Sequence, residues 1–180
     1  MLFLYIVLGI VAIVIILILA APKKYQVSRS IQINRPISEV FEYLKYIKNQ
    51  DAWSPWLQRD PDMKRTETGE DGTIGFTSRW ESDHKQVGTG EQELKLIIPD
   101  ERIESELRFL KPWKSVSNGF FTVRKVDANI TDVTWGFYGV NKPPMNVFML
   151  FFNMEKAVGA DFEEGLAALK RVMEAQENNL

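Results

Sequence analysis

The last long stretch of the chain, Pro144 to about Glu177, constrains the fold more than any other segment. It follows Lys142-Pro143 and carries no proline after its first residue. Phe148, Phe151, Phe152, Val158, Phe162, Leu166, Leu169 and Met173 recur at spacings of three and four, which predicts one α-helix with a broad apolar face. Such a helix needs a surface to lie on, and the chain between Tyr25 and Gly139 reads as that surface. At roughly 100° per residue, Glu155 and Gly159 project into the same face, where both look out of place.

The surface is made of strands. From Tyr25 to Ile33, Val27, Arg29, Ile31 and Ile33 alternate with Gln26, Ser28, Ser30 and Gln32, as in a half-buried strand. After the break at Asn34-Arg35-Pro36, Ser38 is placed to cap a helix whose apolar positions are Val40, Phe41, Leu44 and Ile47. From Met63 to Gly139, short alternating runs are separated by turn signals at Gly69-Glu70-Asp71-Gly72, Ser82 to Lys85, Pro99-Asp100 and Asp127-Ala128-Asn129. Their inward registers are Ile74, Phe76, Ser78, Trp80; then Gly88, Gly90, Gln92, Leu94, Leu96; then Ile103, Ser105, Leu107, Phe109; and finally Val133, Trp135, Phe137. Successive hairpins imply an antiparallel meander. The predicted class is α+β, with one long helix gripping one face of a curved sheet. The in-strand glycines fit bulges in that sheet. Trp53 and Trp56, around Ser54-Pro55, read as plugs at its open end, and Trp113 as an anchoring indole on a bent strand.

Met1 to Ala21 has no charged side chain and is long enough to cross a hydrocarbon core as a helix. A cleaved signal peptide is the competing reading. The absence of Lys or Arg before the run, its length, and the poor cleavage site at Ile18-Leu19-Ala20 favour an uncleaved anchor. This divides the chain into a transmembrane helix over 1–21, a basic linker over 22–24 and a folded domain over 25–177. Lys23 and Lys24 follow the span and no basic residue precedes it, so the positive-inside rule places the domain in the cytoplasm. Because the bias rests mainly on two lysines, the opposite orientation stays open.

With 24 acidic and 22 basic residues, the chain has no electrostatic footprint for nucleic acid. It has no cysteine and a single histidine, His84, which excludes thiolate nucleophiles, Cys-ligated metal and His-rich metal sites. His84 reads as a solvated turn residue, and the acidic stretch Glu174 to Asn179 as a solvated helix face. Neither a phosphate-binding loop nor a dinucleotide fingerprint is present, and no cofactor and no metal are expected.

The clue to function is polar side chains in the inward register. Ser78, Gln92, Ser105 and Arg29 sit among apolar neighbours on strands, and Glu155 among phenylalanines on the helix. An unpaired buried polar group costs about 1–3 kcal/mol and a charge more, so a solid core would exclude them. A cavity with a few polar groups would accept them. The plainer alternative is that they lie near element ends and meet water. The cavity candidates are Arg29, Ser78, Gln92, Ser105, Trp135, Glu155, Gly159 and Phe162.

Several segments together resemble one superfamily. They are Val27-Ser28-Arg29-Ser30-Ile31-Gln32-Ile33, Pro36 with Val40-Phe41, Trp53-Ser54-Pro55-Trp56, Asp60-Pro61-Asp62-Met63, Phe109-Leu110-Lys111-Pro112, Val133-Thr134-Trp135 and Gly159 to Leu166. Their order and spacing, over about residues 25–173, are similar to the SRPBCC (START-like, helix-grip) superfamily, within its polyketide cyclase/dehydrase and lipid-transport group. The resemblance implies a sheet of about seven antiparallel strands round a C-terminal helix, two short helices after the first strand, and a hydrophobic cavity between. It implies no single activity, since members bind or carry lipids and other apolar molecules and some cyclise polyketides.

Three functions follow as expectations. The first is a membrane-tethered binding module for an apolar or amphipathic small molecule such as a lipid. The second is a cyclase- or dehydratase-type enzyme using Glu155 as acid or base. The third is a membrane-anchored interaction protein whose core is filled by its own aromatics. The expected partners are the membrane and an apolar small molecule, with no nucleic acid. The oligomeric state is not legible.

Overall fold

The computed structural model describes residues 1–175. Helix α1 (Leu2–Ala20) is followed by β1 (Lys24–Ile33), α2 (Ile37–Lys45), a 3-10 turn (Ile47–Ala52) and α3 (Pro55–Arg59). Strands β2 (Lys64–Thr68), β3 (Thr77–Glu81), β4 (Thr89–Ile98), β5 (Arg102–Lys111), β6 (Ser115–Asp127) and β7 (Ile130–Val140) come next. A second 3-10 turn (Met145–Leu150) leads into α4 (Met154–Ala175). The seven strands form one antiparallel sheet in the order β1-β7-β6-β5-β4-β3-β2, with α4 packed along the inner side of β1. This is the helix-grip architecture, with the short helices where expected.

Helix α1 is long and apolar enough to cross a membrane. At 1.5 Å per residue its 19 residues span about 28 Å, close to the thickness of a hydrocarbon core. Pro22 stands four residues after Ile18 and has no N–H to donate to the Ile18 carbonyl. The Asn146 amide supplies the missing donor, with Nδ2 donating to Ile18 O at 2.8 Å and to Ala21 O at 3.1 Å. Asn146 is fully buried there, and Asn141 N–H donates to Lys23 O at 2.8 Å beside it.

Helix α4 starts at Met154, ten residues later than its apolar pattern predicts. Asn153 is the reason: its Oδ1 accepts from the Lys156 N–H at 3.0 Å, a side-chain cap that stops the helix from extending backwards. Phe148, Phe151 and Phe152 therefore leave the gripping face and are 64%, 82% and 50% exposed. The buried residues of α4 are Gly159, Phe162, Gly165, Leu166, Leu169 and Met173. Burying a side chain such as Leu166 or Leu169 contributes about 1.5–3 kcal/mol. The expected helix end at Glu177 and most of the acidic stretch to Asn179 lie outside the described residues; Glu174 accepts from the Asn34 N–H at 2.8 Å.

Other expectations shift locally. Helix α2 begins after Pro36 with no side-chain cap, so Ser38 does not play that role. Ile47 is buried but belongs to the 3-10 turn, where Asp71 accepts from the Ile47 and Lys48 N–H groups at 2.9 and 3.0 Å. Ile74 is exposed in the turn before β3. A register shift between Leu94 and Leu96 breaks the alternation of β4. Trp113 is 80% exposed in the β5–β6 turn and anchors nothing in the core.

Candidate functional site

The inner face of the sheet changes character along its strands. Ile103, Val123 and Val133 fill the half of the domain covered by α2 and the end of α4. Towards the end of the sheet where β1 begins, the inward positions on β5 and β6 become Ser105, Ser117 and Gly119. Small side chains there cannot reach α4, and a cavity of about 370 Å³ remains between sheet and helix. That volume lies within the usual range of small-molecule sites.

Trp135 of β7 forms the floor, among packed rings. Its centroid lies 4.6 Å from Phe162, 4.9 Å from Trp53 and 5.5 Å from Trp56, and it stacks on Phe121 at 5.6 Å. Such pairs contribute about 0.5–1.5 kcal/mol beyond their buried area, which stabilises this packed wall. Gly165 of α4 permits the packing, since a Cβ there would stand 2.5 Å from the Trp135 ring. Helix α3, which brings Trp56 to the wall, is held to α4 by the Arg59–Asp161 ion pair at 2.5 Å. Asp161 raises the Arg59 pKa above its ordinary value, mainly by accepting its hydrogen bonds.

The polar groups in the wall are nearly all neutral. Ser78 is buried, Gln92 Nε2 donates to Ser105 Oγ at 3.2 Å, and the hydroxyls of Tyr25 and Ser117 share a hydrogen bond at 2.7 Å. Met154, Val158 and Phe162 supply the helix side, and Leu107, Phe109 and Phe137 add apolar wall from the sheet. Among the described residues Arg65 is the one charged side chain in the lining, and no carboxylate or imidazole reaches it. Arg65 is engaged by Asp51, which raises its pKa. The arrangement can hold an apolar body and offer hydroxyl and amide partners to a polar end.

Of the sequence candidates, Ser78, Gln92, Ser105, Trp135 and Phe162 come together in this wall. Arg29, Glu155 and Gly159 do not. Arg29 lies over Gly159 on the seam between β1 and α4, bonding Glu155 and Glu163 at 2.5 Å each, and Glu155 is 52% exposed. The Arg29 pKa is raised, first by Glu163 and then by Glu155. Since α4 starts so late, Glu155 falls in its first turn, where water reaches it. Tyr25, Trp56 and Ser117 were missed as wall residues. Ser117 had a signal, since it stands two and four residues before Gly119 and Phe121 in the same inward register. Trp56 becomes a cavity wall, whereas Trp53 is buried in the core.

Residues 24–174 match the family described as polyketide cyclase/dehydrase and lipid transport. The chain belongs to that family. Solved structures agree in fold. A Thermobifida fusca protein is 16% identical, with 82% of this chain and 92% of that chain covered and a TM-score of 0.61. A Mesorhizobium loti protein is 12% identical, with 84% and 98% covered and a TM-score of 0.59. One from Chromobacterium violaceum is 14% identical, with 85% and 99% covered and a TM-score of 0.56. No curated protein matches. Membership in this SRPBCC-type family agrees with a fold built to take hydrophobic ligands; at these identities the structural neighbours speak for the fold alone.

Proposed function

We propose that the protein is a membrane-tethered binding module for an apolar or amphipathic small molecule, with a lipid as the leading class. The observation that carries this reading is the cavity of about 370 Å³, walled by apolar and aromatic side chains and dotted with neutral polar groups. Family membership supports it. In the same reading, α1 is the tether and the domain from β1 onward is the receptor. The lysines at 23 and 24 favour a cytoplasmic domain by the positive-inside rule.

The cavity volume weighs against a core filled by the protein's own aromatics, because the phenylalanines that would have filled it project elsewhere. Glu155 stands outside the wall, so an acid–base role for it in the cavity has no support.

Native mass spectrometry of the detergent-extracted full-length protein, followed by lipid identification, tests the reading. A co-purifying apolar species at one per chain is expected, displaced by an added fatty acid or phospholipid. If the protein is empty and takes up nothing from a broad apolar panel, the reading fails. A phosphatase fused after Leu180 in a bacterial host should be inactive, and high activity would reverse the orientation.

A further inference from the structure

The end of the sheet where β1 begins gathers features that the binding reading leaves unused. The segment Met145–Phe152 exposes Met145, Phe148, Leu150, Phe151 and Phe152. It is held at the end of α1 by the buried Asn146 amide, which bonds Ile18 O and Ala21 O. The antiparallel registers place the β5–β6 turn at the same end, because Lys24 pairs with Val140 and Phe109 with Ser115. That turn carries the exposed Trp113 between Lys111 and Lys114. Lys23, Lys24 and Lys142 are exposed beside them. The cavity lies in the same half of the domain, with Met154 in its wall two residues after Phe152.

We infer that this end is a membrane-contact face: Phe148, Phe151, Phe152 and Trp113 enter the bilayer interface while the neighbouring lysines meet anionic headgroups. The inference rests on α1 being a membrane anchor and names the surface on which the cavity exchanges its ligand. The occupant follows from position. Asn146 binds the last carbonyls of a helix that reaches the interface, so the segment it belongs to lies at headgroup depth. Exposed aromatic rings with flanking lysines are the composition favoured at that depth. In water the same apolar cluster would be unfavourable; at the interface it adds apolar burial and presses the Met154 side of the cavity against the lipid source.

The absence of native cysteine makes the test direct. Four single variants of the full-length chain, Gly9→Cys, Trp113→Cys, Phe151→Cys and Ala128→Cys, are labelled with an environment-sensitive fluorophore. They are then reconstituted into nanodiscs of zwitterionic and anionic phospholipid containing spin-labelled lipid. Ala128 is the control, in the β6–β7 turn at the opposite end of the sheet. Labels at 9, 113 and 151 should be blue-shifted and strongly quenched, with 9 the deepest, and the label at 128 should match its emission in water. Quenching at 9 but at neither 113 nor 151 overturns the contact face and leaves the anchor standing. No quenching at 9 removes the anchor and the face together. Equal quenching at 128, 113 and 151 also overturns the assignment, because contact would then have no preferred end.

Discussion

Arg29 of β1 lies over Gly159 of α4, in the space left by the missing side chain. Glu155 and Glu163 stand one turn to either side of Gly159, so one guanidinium bonds both. Gly165, further along the same helix, does the same for Trp135, but there the neighbours are a rigid ring and the Pro55 ring, with a Cβ at 2.5 and 3.0 Å.

The two glycines should therefore respond differently to alanine. At Gly159 the intruding methyl meets the movable end of an arginine, and weakening a part-exposed, water-screened ion pair is offset by roughly 1 kcal/mol of helix propensity. Gly165→Ala should cost about 1–3 kcal/mol more than Gly159→Ala, because the core must shift to accept it. Denaturant melts of the two variants measure the difference; equal stabilities would show that the Trp135 wall is soft.

Glu155→Gln and Arg29→Met should each change stability little, since Glu155 is half-exposed and water screens the pair. Neither should alter the affinity for an apolar probe, because neither residue lines the cavity. A clear loss of binding in Glu155→Gln, measured by titration, would return that carboxylate to the site.

Ser78→Leu places an isobutyl group in the cavity wall at little cost to the sheet. Uptake of a bulky apolar probe should fall tenfold or more, which is about 1.4 kcal/mol. Fluorescence titration beside a thermal melt checks both halves. An unchanged affinity at unchanged stability would mean that the ligand lies elsewhere.

The Glu93 carboxyl is held below its ordinary value of 4.5, first by Lys95 and then by Arg108. A depressed folded pKa adds stability that is present above the unfolded value and is lost as pH falls through the folded one. Glu93→Gln should thus lose up to about 1 kcal/mol at neutral pH and converge with the unmodified protein under acid, where that carboxyl is protonated in both states. A difference that grows on acidification would contradict this assignment.

How much of this was legible depended on the range of the determining interaction. Alternation along Val27, Ile31 and Ile33, and along Val133 and Trp135, is a local property of the backbone, and it marks strands and their inward faces without the partner strand being known. The uncharged run to Ala21 and the spacing of Phe162, Leu166, Leu169 and Met173 are local in the same sense. The start of α4 was harder. Phe148 to Phe152 continue its apolar period, and one side-chain cap at Asn153 outweighs that pattern.

The sequence alone determined the strands, the long helices, their order and most of their apolar faces, because these follow from side-chain periodicity and turn chemistry within a few residues. Only the tertiary structure decided where the void lies. Ser105, Ser117 and Gly119 have the same period as Ile103 and Val123, and whether small residues leave a gap depends on how far the facing helix stands from them. It also decided that Arg29 and Glu155 meet outside the cavity and that Asn146 ties a loop to α1. Contacts between residues more than a hundred positions apart are set by packing of the whole chain, which no local pattern encodes.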